Sequence, residues 1–152
     1  MLRDIVIDAN CAGRICNPVA EPYKQLIEWL REHGYLCVSR HLLIEYAKAG
    51  CGPGAQNILA ILIQLLQRIG RLININDAAL AGVPFTKKIE RNLLSNRSDW
   101  VHIKLVMCSH RRLLISSDGK LRRDVRDFPR FKAVAIECPS EVNLTTYIPD
   151  SD

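Results

Sequence analysis

Short, unbroken apolar runs alternate along this chain with segments whose apolar residues recur every three or four positions. The first run, Ile5-Val6-Ile7, is a buried strand that ends at Asp8. Residues 21 to 33 read as a helix with Leu26, Ile27 and Leu30 on one face and Gly34 placed to cap its end. Residues 35 to 38 form a second strand, and Ser39 is an N-cap for a helix through Leu42, Leu43, Tyr46 and Ala47 that stops at Gly50. After a turn at Cys51-Gly52-Pro53-Gly54, a longer helix runs to Ile69 and is closed by Gly70. Its polar positions, Asn57, Gln64, Gln67 and Arg68, make a narrow stripe, so either the core or another subunit must cover most of its circumference. A strand at 72 to 75, a basic helix at 86 to 94 and a helix opening at Ser98 or Asp99 and reaching about His110 come next. The strand Leu113-Leu114-Ile115 ends in Ser116-Ser117-Asp118, followed by a short helix at 121 to 125 and a last strand at 133 to 136. Beyond Pro139 the periodicity is lost, and the tail reads as coil or an edge strand.

Short apolar strands alternating with helices predict an α/β fold, a three-layer sandwich around a mostly parallel sheet. The expected organisation is one domain over residues 1–138 and a C-terminal tail over 139–152. At 152 residues the chain can bury roughly two-thirds of its unfolded surface, so it needs no disulfide or metal scaffold. The run from Ile58 to Ile63 is the longest apolar one and falls far short of a membrane span. Only three apolar residues follow Arg3 and Asp4 before Asp8, too few for a secretory signal, so the expected location is the cytoplasm. The six cysteines include no CxxC or CxxH pair and read as reduced, mostly buried thiols.

Charge is unevenly spread. The net charge is +5, and between Arg111 and Lys132 eight basic residues stand against three acidic ones. A polyanion such as RNA suits this surplus, and a solvated basic surface suits it about equally. Further basic residues flank candidate acids: Arg40, His41 and Lys48 around Glu45, and Lys87, Lys88, Arg91 and Arg97 before Asp99. Arg40, Lys87, Lys88, Lys120, Arg122 and Arg123 are the candidate phosphate contacts. Aromatic residues make up only 6% of the chain, so base stacking is not expected to dominate recognition.

The acids carry the chemistry. In an open parallel sheet, ligands bind beyond the carboxyl ends of the strands. Asp8 and Asp118 end two strands there, Asp99 opens a helix that starts at the same edge, and Glu45 lies in the first two turns after the second strand. Alone, Asp99 is an ordinary helix-dipole residue, Asp118 an ordinary turn residue and Glu45 an ordinary solvated helix residue. Asp8 is harder to dismiss, because a charge closing a buried strand is costly without a partner. Four carboxylates on one edge repel one another unless cations relieve them, and Mg²⁺ or Mn²⁺ does so through oxygen ligands. Paired ions about 3.5–4 Å apart activate water and stabilise the leaving oxygen in phosphodiester hydrolysis. No GxSxG elbow, HExxH, GxGxxG or Walker A motif is present, and Asn10 stands where a haloacid-dehalogenase-like phosphatase needs a second aspartate. The four histidines, His33, His41, His102 and His110, show no ligand spacing, and most of them read as surface or helix-end residues.

With Ile5-Val6-Ile7-Asp8-Ala9-Asn10, Leu43-Ile44-Glu45-Tyr46, Asp99 and Leu114-Ile115-Ser116-Ser117-Asp118 in this order and context, the chain resembles the PIN-domain nucleases over about residues 1 to 136. The resemblance implies a divalent-metal endoribonuclease in which Asp8, Glu45, Asp99 and Asp118 are catalytic metal ligands. Asn10 and Ser116 become polar supports that orient these acids. It further implies RNA as substrate and, in many small members, a role as toxin with an antitoxin protein as partner. The broad apolar face of the helix ending at Ile69 fits a homodimer contact, an antitoxin surface or a core helix equally well. Two positions depart from the family pattern: Trp100 and Val101 follow Asp99 where small residues are usual, and Lys120 stands where many members carry another carboxylate. The alternatives are a catalytically inactive PIN-like module binding RNA or protein and, more remotely, a flavodoxin-like regulatory domain holding one Mg²⁺.

Overall fold

The computed structural model describes residues 2–16, 21–49, 58–141 and 143–144. It is an α/β sandwich around a five-stranded, all-parallel sheet. The strands are β1 (Asp4–Ile7), β2 (Tyr35–Val38), β3 (Leu72–Asn74), β4 (Leu113–Ile115) and β5 (Val134–Ile136), in the order β3-β2-β1-β4-β5. β1 and β4 are buried throughout because helices cover both faces of the sheet, and this explains why their sequences are apolar runs rather than alternating patterns. Register is set by pairs such as Ile5 with Leu36, Val6 with Leu114 and Leu114 with Ala135.

Eight helices accompany the strands among the described residues: α1 (Ala12–Cys16), α2 (Glu21–Glu32), α3 (Arg40–Lys48), α4 (Ile58–Arg68), α5 (Asp77–Ala81), α6 (Lys87–Asn92), α7 (Trp100–Cys108) and α8 (Gly119–Arg126). Ser39 caps α3 as its sequence suggests, its hydroxyl accepting from the Leu42 amide at 3.1 Å. Asn76 and Thr86 do the same for α5 and α6. The helices α1 and α5 were not legible in the hydrophobic pattern: each is five residues long, too short for a period of 3.6 to declare itself. Gly34 caps α2 as expected, its amide donating to the Trp29 carbonyl at 2.9 Å, and a Cβ there would lie 2.5 Å from the Trp29 ring. Gly70, at φ +76°, supplies the left-handed residue after α4.

The core joins Ile5 and Ile7 of β1, Leu36 and Val38 of β2, and Leu113 to Ile115 of β4 with Leu26 and Leu30 of α2, Leu59, Leu62 and Leu66 of α4, and Ile103, Leu105 and Val106 of α7. Among the described residues α4 buries Leu59, Leu62 and Leu66, while Ile61 is 55% exposed and Ile69, just past its end, 45% exposed. The expected turn at Cys51-Gly52-Pro53-Gly54 lies outside the described residues, and of the tail only a 3₁₀ turn at Pro139–Glu141 and residues 143–144 are described. Among the described residues no helix is long and apolar enough to cross a membrane.

At the opposite, amino edge of the sheet the buried Asp4 accepts from the His110 and Arg111 amides at 2.7 and 2.8 Å. Arg111, itself buried, donates to the Asp4 and Leu144 carbonyls and stacks over Trp29. These contacts bind the start of β1 to the entrance of β4 and so fix the two strands whose far ends build the site.

Candidate metal centre

The strand order reverses between β1 and β4: β2 and β3 follow on one side of β1, β4 and β5 on the other. Such a switch point opens a crevice at the carboxyl ends of the two strands. Asp8 leaves β1 there, its amide still paired with the Ile115 carbonyl at 2.9 Å, and Ser116 leaves β4 beside it, its amide on the Ile136 carbonyl at 3.0 Å. The Ser116 hydroxyl is the hub of the crevice. It donates to Asp8 Oδ2 at 2.7 Å and accepts from Asn10 Nδ2 at 3.3 Å and the Asp118 amide at 3.1 Å. The Asn10 carbonyl oxygen accepts from the Ser117 amide at 3.3 Å, so the two strand ends are laced together by polar side chains. Asn10 and Ser116, the expected supports, both belong to this network.

Glu45 reaches the crevice from α3, which Tyr46 ties to the end of β1 through its buried hydroxyl, a donor to the Ile7 carbonyl. Its Oε2 lies 2.8 Å from Nε2 of His102, which is 1% exposed on the first turn of α7. Ligand atoms of Asp8, Glu45 and His102 all lie within 4.8 Å of one another. Two carboxylates and a buried imidazole at this spacing are a donor set that fits a divalent cation. These three residues could hold a metal ion.

Asp99 and Asp118 stand around this cluster rather than in it. Asp118 caps α8, its Oδ1 accepting from the Lys120 and Leu121 amides at 2.9 and 3.3 Å. Asp99 ends the 3₁₀ turn Arg97–Asp99 that leads into α7. Burial raises its carboxyl above the ordinary aspartate value, and the charges of Asp8, Asp118 and Glu45 raise it further while His102 opposes them. Asp8 is shifted the same way, chiefly by burial and in smaller part by Glu45, against the Ser116 hydrogen bond, the His102 ring and the Ala9 backbone. Asp99 therefore feels the charges of the other three acids, although the tight cluster contains only two of the four.

The segment delivering Asp99 is itself anchored by an acid outside the expected set. Buried Asp124 of α8 accepts from the Leu94 amide, the Ser95 amide and the Ser95 hydroxyl at 2.5–3.0 Å. The expected phosphate contacts have varied situations. Arg122 is committed to the fold, donating to the Ser116 carbonyl at 2.8 Å with Glu137 at 3.9 Å. Arg40 pairs with Asp77 at 3.1 Å, and Arg123 with Asp127 at 3.5 Å, all exposed. Lys87, Lys88 and Lys120 are exposed. Lys88 and Arg123 also line a groove of about 630 Å³ with Arg130, Ile89 and Phe128, and none of the four acids lines it.

His102 is the residue that sequence reading missed. Contrary to a surface or helix-end placement, it is buried, because α7 is apolar nearly all round and its third residue faces the sheet. The available signal was its position: a polar residue three after Asp99, on the same side of the helix, among Ile103, Leu105 and Val106. In comparisons with known proteins, the sequence matches no family model and no curated protein.

Proposed function

We propose that this chain is a metal-dependent endoribonuclease that hydrolyses phosphodiester bonds of single-stranded or structured RNA, PIN-like in architecture and mechanism. The observation that carries this reading is the convergence of Asp8, Glu45 and His102 within 4.8 Å at the switch point of a parallel sheet, with Asp118 tied to Asp8 through Ser116. Asp8 and Glu45 would hold the ion, and Asp99 and Asp118 add negative charge around it. A divalent ion, Mg²⁺ or Mn²⁺, supplies Lewis acidity and a nucleophile at neutral pH.

The residues of the chain do the positioning. Ser116 fixes one Asp8 oxygen, leaving the carboxylate oriented toward Glu45, and Asn10 holds Ser116 and the Ser117 amide in register. Lys120, exposed on the first turn of α8 beside Asp118, is a cation within the chain that suits an RNA phosphate. The resemblance to PIN-domain nucleases supports a cytoplasmic toxin role opposed by an antitoxin protein.

Cleavage of a mixed RNA pool by the purified chain with Mg²⁺ or Mn²⁺, beside EDTA and the variants Asp8→Asn and Asp118→Asn, tests the reading. Metal-dependent cleavage lost in both variants is the expected result. RNA bound but left intact by wild type and variants alike would replace the enzyme with a binding module. For the toxin role, the expected result is growth arrest on expression that Asp8→Asn relieves.

A further inference from the structure

We infer that His102 is itself a ligand of the ion, so that the site is built for a transition ion and takes Mn²⁺ in marked preference to Mg²⁺. The inference rests on the reading of Asp8 and Glu45 as metal ligands and adds the identity of the metal.

Its first support is the cost of the side chain. His102 is 1% exposed on a helix whose neighbouring inward positions are Ile103, Leu105 and Val106, where an aliphatic residue would pack without a polar group to satisfy. Among the described residues its Nε2 meets only Glu45, and its Nδ1 is buried without a hydrogen-bond partner. The fold therefore keeps an imidazole in its interior whose one polar contact is a carboxylate of the candidate site.

The second support is the direction of Nε2. A hydrogen bond that merely steadied Glu45 would not require the ring to approach Asp8 as well, yet the ligand atoms of all three residues lie within 4.8 Å of one another. Adjacent ligands on an ion with bonds of about 2.1 Å sit about 3 Å apart. The Nε2 to Oε2 separation of 2.8 Å is already close to that spacing.

The third is donor chemistry. Mg²⁺ prefers oxygen and gives up its water reluctantly, whereas imidazole nitrogen suits first-row transition ions. Replacing one oxygen of the shell by Nε2 therefore penalises Mg²⁺ more than Mn²⁺.

The test is pulsed electron paramagnetic resonance of Mn²⁺ added alone to the full metal-free chain, prepared with natural nitrogen and uniformly labelled with ¹⁵N. The expected result is a directly coordinated nitrogen coupling that changes from the ¹⁴N to the ¹⁵N pattern on labelling and vanishes in His102→Gln. Displacement by Mg²⁺ gives a second readout: more than about 100-fold excess should be needed for wild type, and at least 10-fold less for His102→Gln. Bound Mn²⁺ without nitrogen coupling overturns the inference and leaves His102 as a positioning partner of Glu45. The labelled wild-type comparison decides this even where the variant does not fold. Nitrogen coupling in a chain that leaves RNA intact would sustain the inference while the nuclease reading fails. RNA cleavage without nitrogen coupling would do the reverse, and absence of Mn²⁺ binding would overturn both.

Discussion

Removing a carboxylate from the candidate site should make the metal-free protein more stable. Asp8 is 8% exposed and its ligand oxygen lies no more than 4.8 Å from that of Glu45. Two like charges at that distance repel by about 3.5 kcal/mol at an effective dielectric constant near 20. Asp8→Asn removes this repulsion and the cost of burying the charge, and weakens the charge-assisted hydrogen bond from Ser116 by about 1.5 kcal/mol. The His102 ring offsets a further part of the repulsion, so the net gain is about 1–2 kcal/mol. For a domain of this size that raises Tm by about 3–6 °C in EDTA. Calorimetry with and without Mn²⁺ is the assay, and the ion should stabilise wild type but leave the variant nearly unchanged. The pH dependence has a definite sign. Because folding raises the Asp8 pKa, the native chain binds that proton more tightly than the unfolded chain. Wild-type stability therefore falls as pH rises from the unfolded value through the raised native one, and levels above it. The advantage of Asp8→Asn should shrink as pH drops through that window. A variant less stable than wild type in EDTA at neutral pH would refute the repulsion argument.

The other predictions concern the groups that hold the acids in place. Ser116→Ala removes the hub between Asp8, Asn10 and Asp118, and should lower cleavage about 10- to 100-fold and cost about 1–3 kcal/mol of stability, read by steady-state kinetics beside urea denaturation. Asp124→Ala strands the Leu94 and Ser95 amides and the Ser95 hydroxyl, and should cost about 3–4 kcal/mol in urea unfolding with faster hydrogen exchange at both amides. Gly34→Ala drives a methyl group into the Trp29 ring and should destabilise by about 1–3 kcal/mol, with altered indole fluorescence.

The legible part of this fold was the part made by long-range burial. β1, β2 and β4 are covered on both sides, so each appeared as an apolar run closing on a polar residue, and the expected parallel arrangement is the one observed. That logic carried Asp8 to the right edge and Glu45 toward it, because a strand end and a helix's second turn fix where a side chain can reach. It did not reveal α1 or α5, which are too short for a periodic signature. Nor did it reveal Asp124, whose partners are backbone amides of residues 30 and 29 positions away, a contact with no local mark. Arg122 shows the same limit from the other side. Its charge read as available to phosphate, and the structure has it donating to the carbonyl of Ser116.

His102 shows how the two kinds of information meet. A histidine amid apolar helix residues is ambiguous in sequence, since a satisfied core imidazole and a ligand share the same pattern. What distinguishes them is the company at the ring nitrogens: here Nε2 faces Glu45 and Nδ1 faces no described partner. A core histidine kept for stability would be expected to have both nitrogens satisfied, because each unpaired polar atom costs on the order of 1–3 kcal/mol. An imidazole that leaves one nitrogen bare while turning the other toward Glu45 weakens the core where it sits. That expense is intelligible if the ring acts on whatever Asp8 and Glu45 hold, and leucine at this position, the choice of a purely structural helix, should then give a chain that is more stable and no longer competent to discriminate between metals.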